Sequence, residues 1–191
     1  MTEPKSRANS SSAITSVRIL PEKPTKETDL SVTIQGKNPD DRITYTYQWI
    51  KNGGEILGTK ENILKRDNFK KGDLILCKVT PFDGKAEGKP ILSPEVKILN
   101  SPPVIQKVWI EPRPAYVTTE NLRAHVKAYD ADGDSIYYDY RWERKGETIS
   151  GNRSEILERV QFEKGDVIRV FVTPDDREAL GRTEDADTYV K

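Results

Sequence analysis

One cysteine and one histidine stand among 191 residues. A lone cysteine excludes an intrachain disulfide, so the fold must be held by apolar burial, and the compartment stays open. Cys77 and His125 cannot supply a zinc ligand set between them. No Gly-x-Ser-x-Gly occurs, and no glycine-rich loop precedes a helix, which removes the usual signatures of acyl transfer and phosphate binding. No run of 18 apolar residues exists, so no transmembrane segment is expected. Formal net charge is zero, which leaves no basic footprint for nucleic acid. No catalytic or cofactor-binding residue is expected, and the chain does not read as an enzyme.

What is present is a repeat. Thr44-Tyr45-Thr46-Tyr47-Gln48-Trp49 returns as Tyr137-Tyr138-Asp139-Tyr140-Arg141-Trp142. Phe69-Lys70-Lys71-Gly72-Asp73 returns as Phe162-Glu163-Lys164-Gly165-Asp166, Thr80-Pro81 as Thr173-Pro174, and Gly88 as Gly181, all 93 residues apart. A period of this length with β-type residues in each copy predicts two tandem β domains.

Each copy reads as a series of short strands. Val17 and Ile19 alternate with polar residues and Pro21 ends the run; Val108 and Ile110 do the same before Pro112. That is the pattern of an edge strand followed by a turn. Leu30–Ile34 matches Leu122–Val126. In the third strand Ile43, Tyr45, Tyr47 and Trp49 share one face, as do Ile136, Tyr138, Tyr140 and Trp142. The opposite face of the second copy carries Asp139, Arg141 and Glu143, so the tryptophan face is the core. Asn52-Gly53-Gly54 and Lys145-Gly146 are hairpin turns. Ile75, Cys77 and Val79 align with Ile168, Val170 and Val172 as inward positions. Cys77 therefore reads as a small buried hydrophobe, with a reactive thiol as the alternative. Final strands are expected over 90–99 and 182–190.

The predicted class is all-β, with two seven-stranded immunoglobulin-like β-sandwich domains, 13–101 and 102–191, joined by a short Pro-containing linker at Asn100-Ser101-Pro102-Pro103. Residues 1–12 are polar, lack an apolar core of the kind a signal peptide has, and read as a disordered N-terminal tether. An export signal would then lie upstream of Met1. Charge divides unevenly: 13–101 has 15 basic and 12 acidic residues, and 102–191 has 14 and 18.

One loop carries chemistry. Asp130, Asp132 and Asp134 place three carboxylates within five residues, a donor set suited to calcium, which takes six to eight oxygens. In an immunoglobulin-like sandwich the second–third and sixth–seventh strand loops meet the incoming chain at one end. The latter loop holds Asp175, Asp176 and Glu178. Asp130, Asp132, Asp134, Asp175 and Asp176 are thus the candidate calcium ligands; the alternative is ordinary Asp-Gly turn chemistry. The first copy has Lys37-Asn38-Pro39-Asp40-Asp41 there. Trp109 is out of phase with Val108 and Ile110, so it points away from its own core, either to pack against something else or to offer a sugar-stacking face. His125 reads as an exposed strand residue.

Asp-x-Asp-Gly-Asp, Tyr-x-Tyr-x-Trp, Phe-x-x-Gly-Asp-x-Ile and Thr-Pro-x-Asp in this order resemble the tandem immunoglobulin-like repeats of bacterial exported and cell-surface proteins. The layout is similar to polycystic-kidney-disease-type (PKD-like) and cadherin-like repeats. The resemblance implies an exported location, calcium as the only cofactor, and a protein partner or cell-envelope component. It implies a non-catalytic structural, adhesion or spacer module. The alternative is an accessory carbohydrate- or protein-binding module of a secreted enzyme or export machine.

Overall fold

The computed structural model describes residues 13–37 and 43–191. The tether assigned to 1–12 and most of the first copy's counterpart of the acidic loop lie outside the described residues. The chain divides into two compact units at Leu99/Asn100.

In the first unit, β1 (Ala13–Leu20), β2 (Leu30–Lys37) and β5 (Ile63–Leu64) form one sheet in the order β1-β2-β5. The second sheet comprises β3 (Thr44–Lys51), β4 (Gly54–Glu55), β6 (Leu74–Phe82), β7 (Ile91–Leu92) and β8 (Val96–Lys97). β7 and β8 both pair with β6, where the sequence suggested one continuous last strand. The break falls at Ser93-Pro94. Pro94 has no N–H for the ladder. Buried Ser93 turns its hydroxyl inward, accepting the Cys77 N–H at 3.0 Å and donating to the Pro94 carbonyl at 2.9 Å.

The second unit repeats the plan without that break. β13 (Ile156–Glu158), β10 (Asn121–Tyr129) and β9 (Val104–Glu111) form one sheet. β12 (Glu147–Thr148), β11 (Tyr137–Arg144), β14 (Val167–Asp175) and β15 (Glu184–Tyr189) form the other. Even the irregularities match. The β1–β2 register shifts between Ile14 and Ser16, and the β9–β10 register shifts between Lys127 and Ala128, opposite Gln106.

Alternation places the cores. Trp49, Leu30, Leu64, Ile75, Cys77 and Val79 have no exposed surface, nor do their counterparts Trp142, Leu122, Leu157, Ile168, Val170 and Val172. A buried indole N–H must find an acceptor. Trp49 Nε1 donates to the Glu61 carbonyl at 3.0 Å, and Trp142 Nε1 donates to the Ser154 carbonyl at 2.9 Å. The strand and the loop it braces are thereby locked together in both copies. Cys77 is buried as expected, and burial pushes its thiol up to about 12.

The recurrent glycine after Thr-Pro has a steric cause. Gly88 N–H donates to the Pro81 carbonyl, and Gly181 N–H to the Pro174 carbonyl, both at 2.8 Å. A Cβ on Gly88 would lie 2.8 Å from Pro81 Cγ; one on Gly181 would lie 1.9 Å from the Pro103 carbonyl oxygen.

The repeated Lys-Gly-Asp carries more than a turn. Gly72 and Gly165 both have φ +87°, which suits glycine. The aspartate that follows is buried. Asp73 accepts the Lys70 N–H at 2.9 Å and the Asn52 side-chain amide at 2.8 Å. Asp166 accepts the Glu163 N–H at 2.6 Å and pairs with Arg144 Nε at 2.6 Å and Lys145 Nζ at 3.0 Å. Burial alone would raise both carboxyls; these hydrogen bonds and the neighbouring cations outweigh it and hold both below the ordinary 3.8.

Trp49→Ala or Trp142→Ala should cost about 3–5 kcal/mol in denaturant titration, because the cavity left between rigid sheets cannot close. Gly181→Ala should destabilise more than Gly88→Ala, since the first must displace backbone and the second only a proline ring carbon. Asp166 has a depressed folded pKa, so its stabilisation is complete above pH about 4 and is lost as pH falls through the folded value. Asp166→Asn should cost about 1.5–3 kcal/mol at neutral pH and flatten the acid limb of the stability profile; an unchanged acid limb would show that the carboxylate contributes nothing.

Candidate metal centre

The acidic loop of the second unit links β10 to β11. Asp130 follows the last residue of β10, and its Oδ1 accepts the N–H of Asp132 at 2.8 Å and of Asp134 at 3.1 Å. Gly133 takes φ +84°, and its N–H reaches back to the Asp130 carbonyl at 3.3 Å. This Asp-anchored turn curls the chain around one carboxylate, as short side chains with local acceptors do. One carboxylate oxygen from each of Asp130, Asp132 and Asp134 falls within 4.8 Å of the others.

Asp132 Oδ2 is occupied, accepting the N–H of fully buried Ser101 at 2.6 Å. Its Oδ1 and the Oδ2 of Asp130 are different. Both oxygens are shut off from solvent and have no hydrogen-bond donor among the described residues. Anionic oxygens in that position carry an uncompensated desolvation cost, which a cation would offset. The donor set therefore fits a hard cation, whose remaining coordination positions water or backbone carbonyls would fill.

Asp176 is buried and fully engaged elsewhere. Its Oδ1 accepts the N–H groups of Glu178 at 2.7 Å and Ala179 at 2.6 Å, and its Oδ2 accepts the Asn100 side-chain amide at 2.7 Å. Asp175 accepts the Arg177 N–H at 2.7 Å. The Arg177 guanidinium lies over the Tyr137 ring at 4.0 Å. Among the described residues, the carboxylate group brought together comprises Asp130, Asp132 and Asp134, without Asp175 or Asp176. The two loops and the incoming chain do meet, but through Asn100 and Ser101. These two residues, placed by sequence at the end of the first domain, belong to the second unit.

A second constellation lies on the outer face of β9 and β10. Trp109 and His125 stand directly opposite each other and stack, with ring centroids 5.1 Å apart and planes 14° apart. Glu111 fixes both: Trp109 Nε1 donates to its Oε1 at 3.1 Å, and His125 Nε2 lies 3.2 Å from its Oε2. The outward direction of Trp109 was visible in its phase. Its partnership with His125 required the strand register.

No family model matches the chain, and no curated protein matches it. Solved structures do. The chain resembles the chicken interferon gamma receptor alpha chain with a TM-score of 0.50 and 12% identity, over 93% of this chain and 97% of that one. A two-domain fibronectin type III segment of chicken tenascin gives 0.42 and 15%, over 91% and 97%. The FN1–FN3 domains of chicken CNTN1 give 0.42 and 14%, covering 92% of this chain but 65% of that one, just under two thirds. At 12% identity the receptor likeness shows fold alone, and the fold it shows is a tandem of immunoglobulin-like β-sandwiches.

Proposed function

We propose that this chain is a non-catalytic spacing and interaction module of a bacterial envelope or exported protein, and that the second unit takes calcium at Asp130, Asp132 and Asp134. What carries the non-catalytic reading is where the reactive groups sit. Cys77 is sealed in a core with its thiol near 12, so it stays protonated and inert at neutral pH. The buried carboxylates Asp73 and Asp166 hold turns together. Two tandem sandwiches present surface to partners, and a protein or cell-envelope component is the partner class that suits them. The exported bacterial setting rests on the sequence resemblance.

The calcium reading is supported by the two solvent-excluded, donor-less oxygens of Asp130 and Asp132. Three carboxylates this close repel one another, and a ligand that binds only the folded form stabilises it by RT ln(1 + [L]/Kd), about 2.7 kcal/mol at a hundredfold excess. Millimolar calcium at low ionic strength should therefore raise the melting temperature of the whole chain. Asp132→Asn should abolish most of that rise. No calcium shift in the wild type, or an equal shift in the variant, would reduce the loop to a turn. The interaction role is tested by cell fractionation and crosslinking of the native protein; recovery from the cytosol without partners would overturn it.

A further inference from the structure

The two units share a strand pair, β1–β2 and β9–β10, but dress its outer face differently. In the first unit the successive cross-strand pairs are Ser16–Gln35 and Arg18–Thr33. The Ser16 hydroxyl donates to Gln35 Oε1 at 3.1 Å, so the first pair is neutral and bonded. In the second unit the same places hold Lys107–Lys127 and Trp109–His125. Like charges directly opposite each other destabilise a strand pair. Neither lysine has a carboxylate ion pair among the described residues; Lys107 Nζ lies instead 5.1 Å from the Trp109 ring centroid. The fold does not require these four residues, since the first unit builds the same strands without them.

We propose that this face binds an acidic polysaccharide, with a sugar ring lying against the indole of Trp109 and its acid group held by Lys107 and Lys127. This takes up an accessory binding role beyond the spacer reading, and it stands independently of calcium. The indole is prepared for stacking. His125 supports one face and Glu111 fixes the N–H, so little side-chain entropy remains to be lost on binding. β9 is the edge strand of its sheet, and Lys107 Nζ lies over the indole ring, so an incoming sugar would displace that ammonium from the ring and meet it with its acid group. An open depression of ≈ 700 Å³ lies along it, with Arg113 and Asn121 among its walls. A flat apolar ring beside a few convergent polar groups is the chemistry that recognises a pyranose.

Charge selects the acid. On this face Glu111 is committed to Trp109 and His125, and Glu155 pairs with Arg123 at 3.0 Å. Lys107, Lys127 and Arg113 are left without a carboxylate partner among the described residues. The surrounding unit is net acidic, with 18 acidic against 14 basic residues over 102–191. That background disfavours the dense charge of a nucleic acid, which needs an extended basic track. One carboxylate or sulfate per sugar fits a patch of three cations.

The test uses the full chain at low ionic strength. Trp49 and Trp142 are fully buried, so acrylamide quenching reports on Trp109. The probes are polygalacturonate, ι-carrageenan, neutral dextran and poly(dT). Polygalacturonate or ι-carrageenan should protect Trp109 and retard the protein in affinity electrophoresis; the better of the two identifies carboxylate or sulfate as the acid recognised. Trp109→Ala, and separately Lys107→Ser with Lys127→Gln, should each weaken binding about tenfold or more. The lysine replacements are the residues the first unit already carries, so they preserve the strand pair. The proposal falls if neither acidic polysaccharide binds, if dextran binds equally, if poly(dT) binds better, or if both variants bind like the wild type.

Discussion

Each unit is organised around one buried indole whose N–H is tied to a backbone carbonyl across the core. Trp49 and Trp142 supply the largest apolar volume in thin two-sheet domains, and that volume must be paired with a precise polar contact. The indole fixes the depth of the third strand, and its hydrogen bond fixes the loop twelve residues on. From there β5 or β13 is delivered to the opposite sheet. Without disulfides, this coupling is what joins the two sheets through the centre of each unit. The buried Lys-Gly-Asp carboxylate performs a similar task at one end, closing a turn that the apolar core cannot reach.

Much of this was legible because the repeat acted as an internal comparison. Residues that recur 93 apart at Trp, Phe, Gly-Asp and Thr-Pro mark the positions the fold depends on, and period-two alternation assigned them to faces. Three features were not legible. Asp73 and Asp166 read as turn residues, because nothing in a lone Gly-Asp shows that the carboxylate turns inward and meets donors from a distant hairpin. The last strand of the first unit read as continuous, because a Ser-Pro interruption is visible but the inward hydroxyl that makes it a break is not. The ties of Asn100 and Ser101 were hidden too, since prolines mark a linker to the eye while these two residues bond to loops 76 and 31 residues away.

The candidate cation loop shows the same division between what local sequence carries and what register adds. Three aspartates in five residues announced a carboxylate cluster. Only the folded chain distinguishes oxygens that anchor the turn from those left buried without a donor. It also separates Asp176, whose lone pairs are taken by amides, from the group it was expected to join. Where the two copies share a residue, the reason is structural; where they diverge on an outer face, as at Trp109 and Lys127, structure no longer requires the choice.

The capture of Asn100 and Ser101 bears on how the protein can be dissected. A fragment begun at Pro102 keeps every strand of the second unit, yet it discards the amide that caps Asp132 and the carboxamide that caps Asp176. Two acidic side chains would then sit in a rim built to neutralise them, with a new charged amino terminus close by. Such a truncation would alter the very loop whose metal affinity it was made to measure. A cut before Asn100 respects the electrostatic boundary of the unit, which lies upstream of the prolines that mark it to the eye.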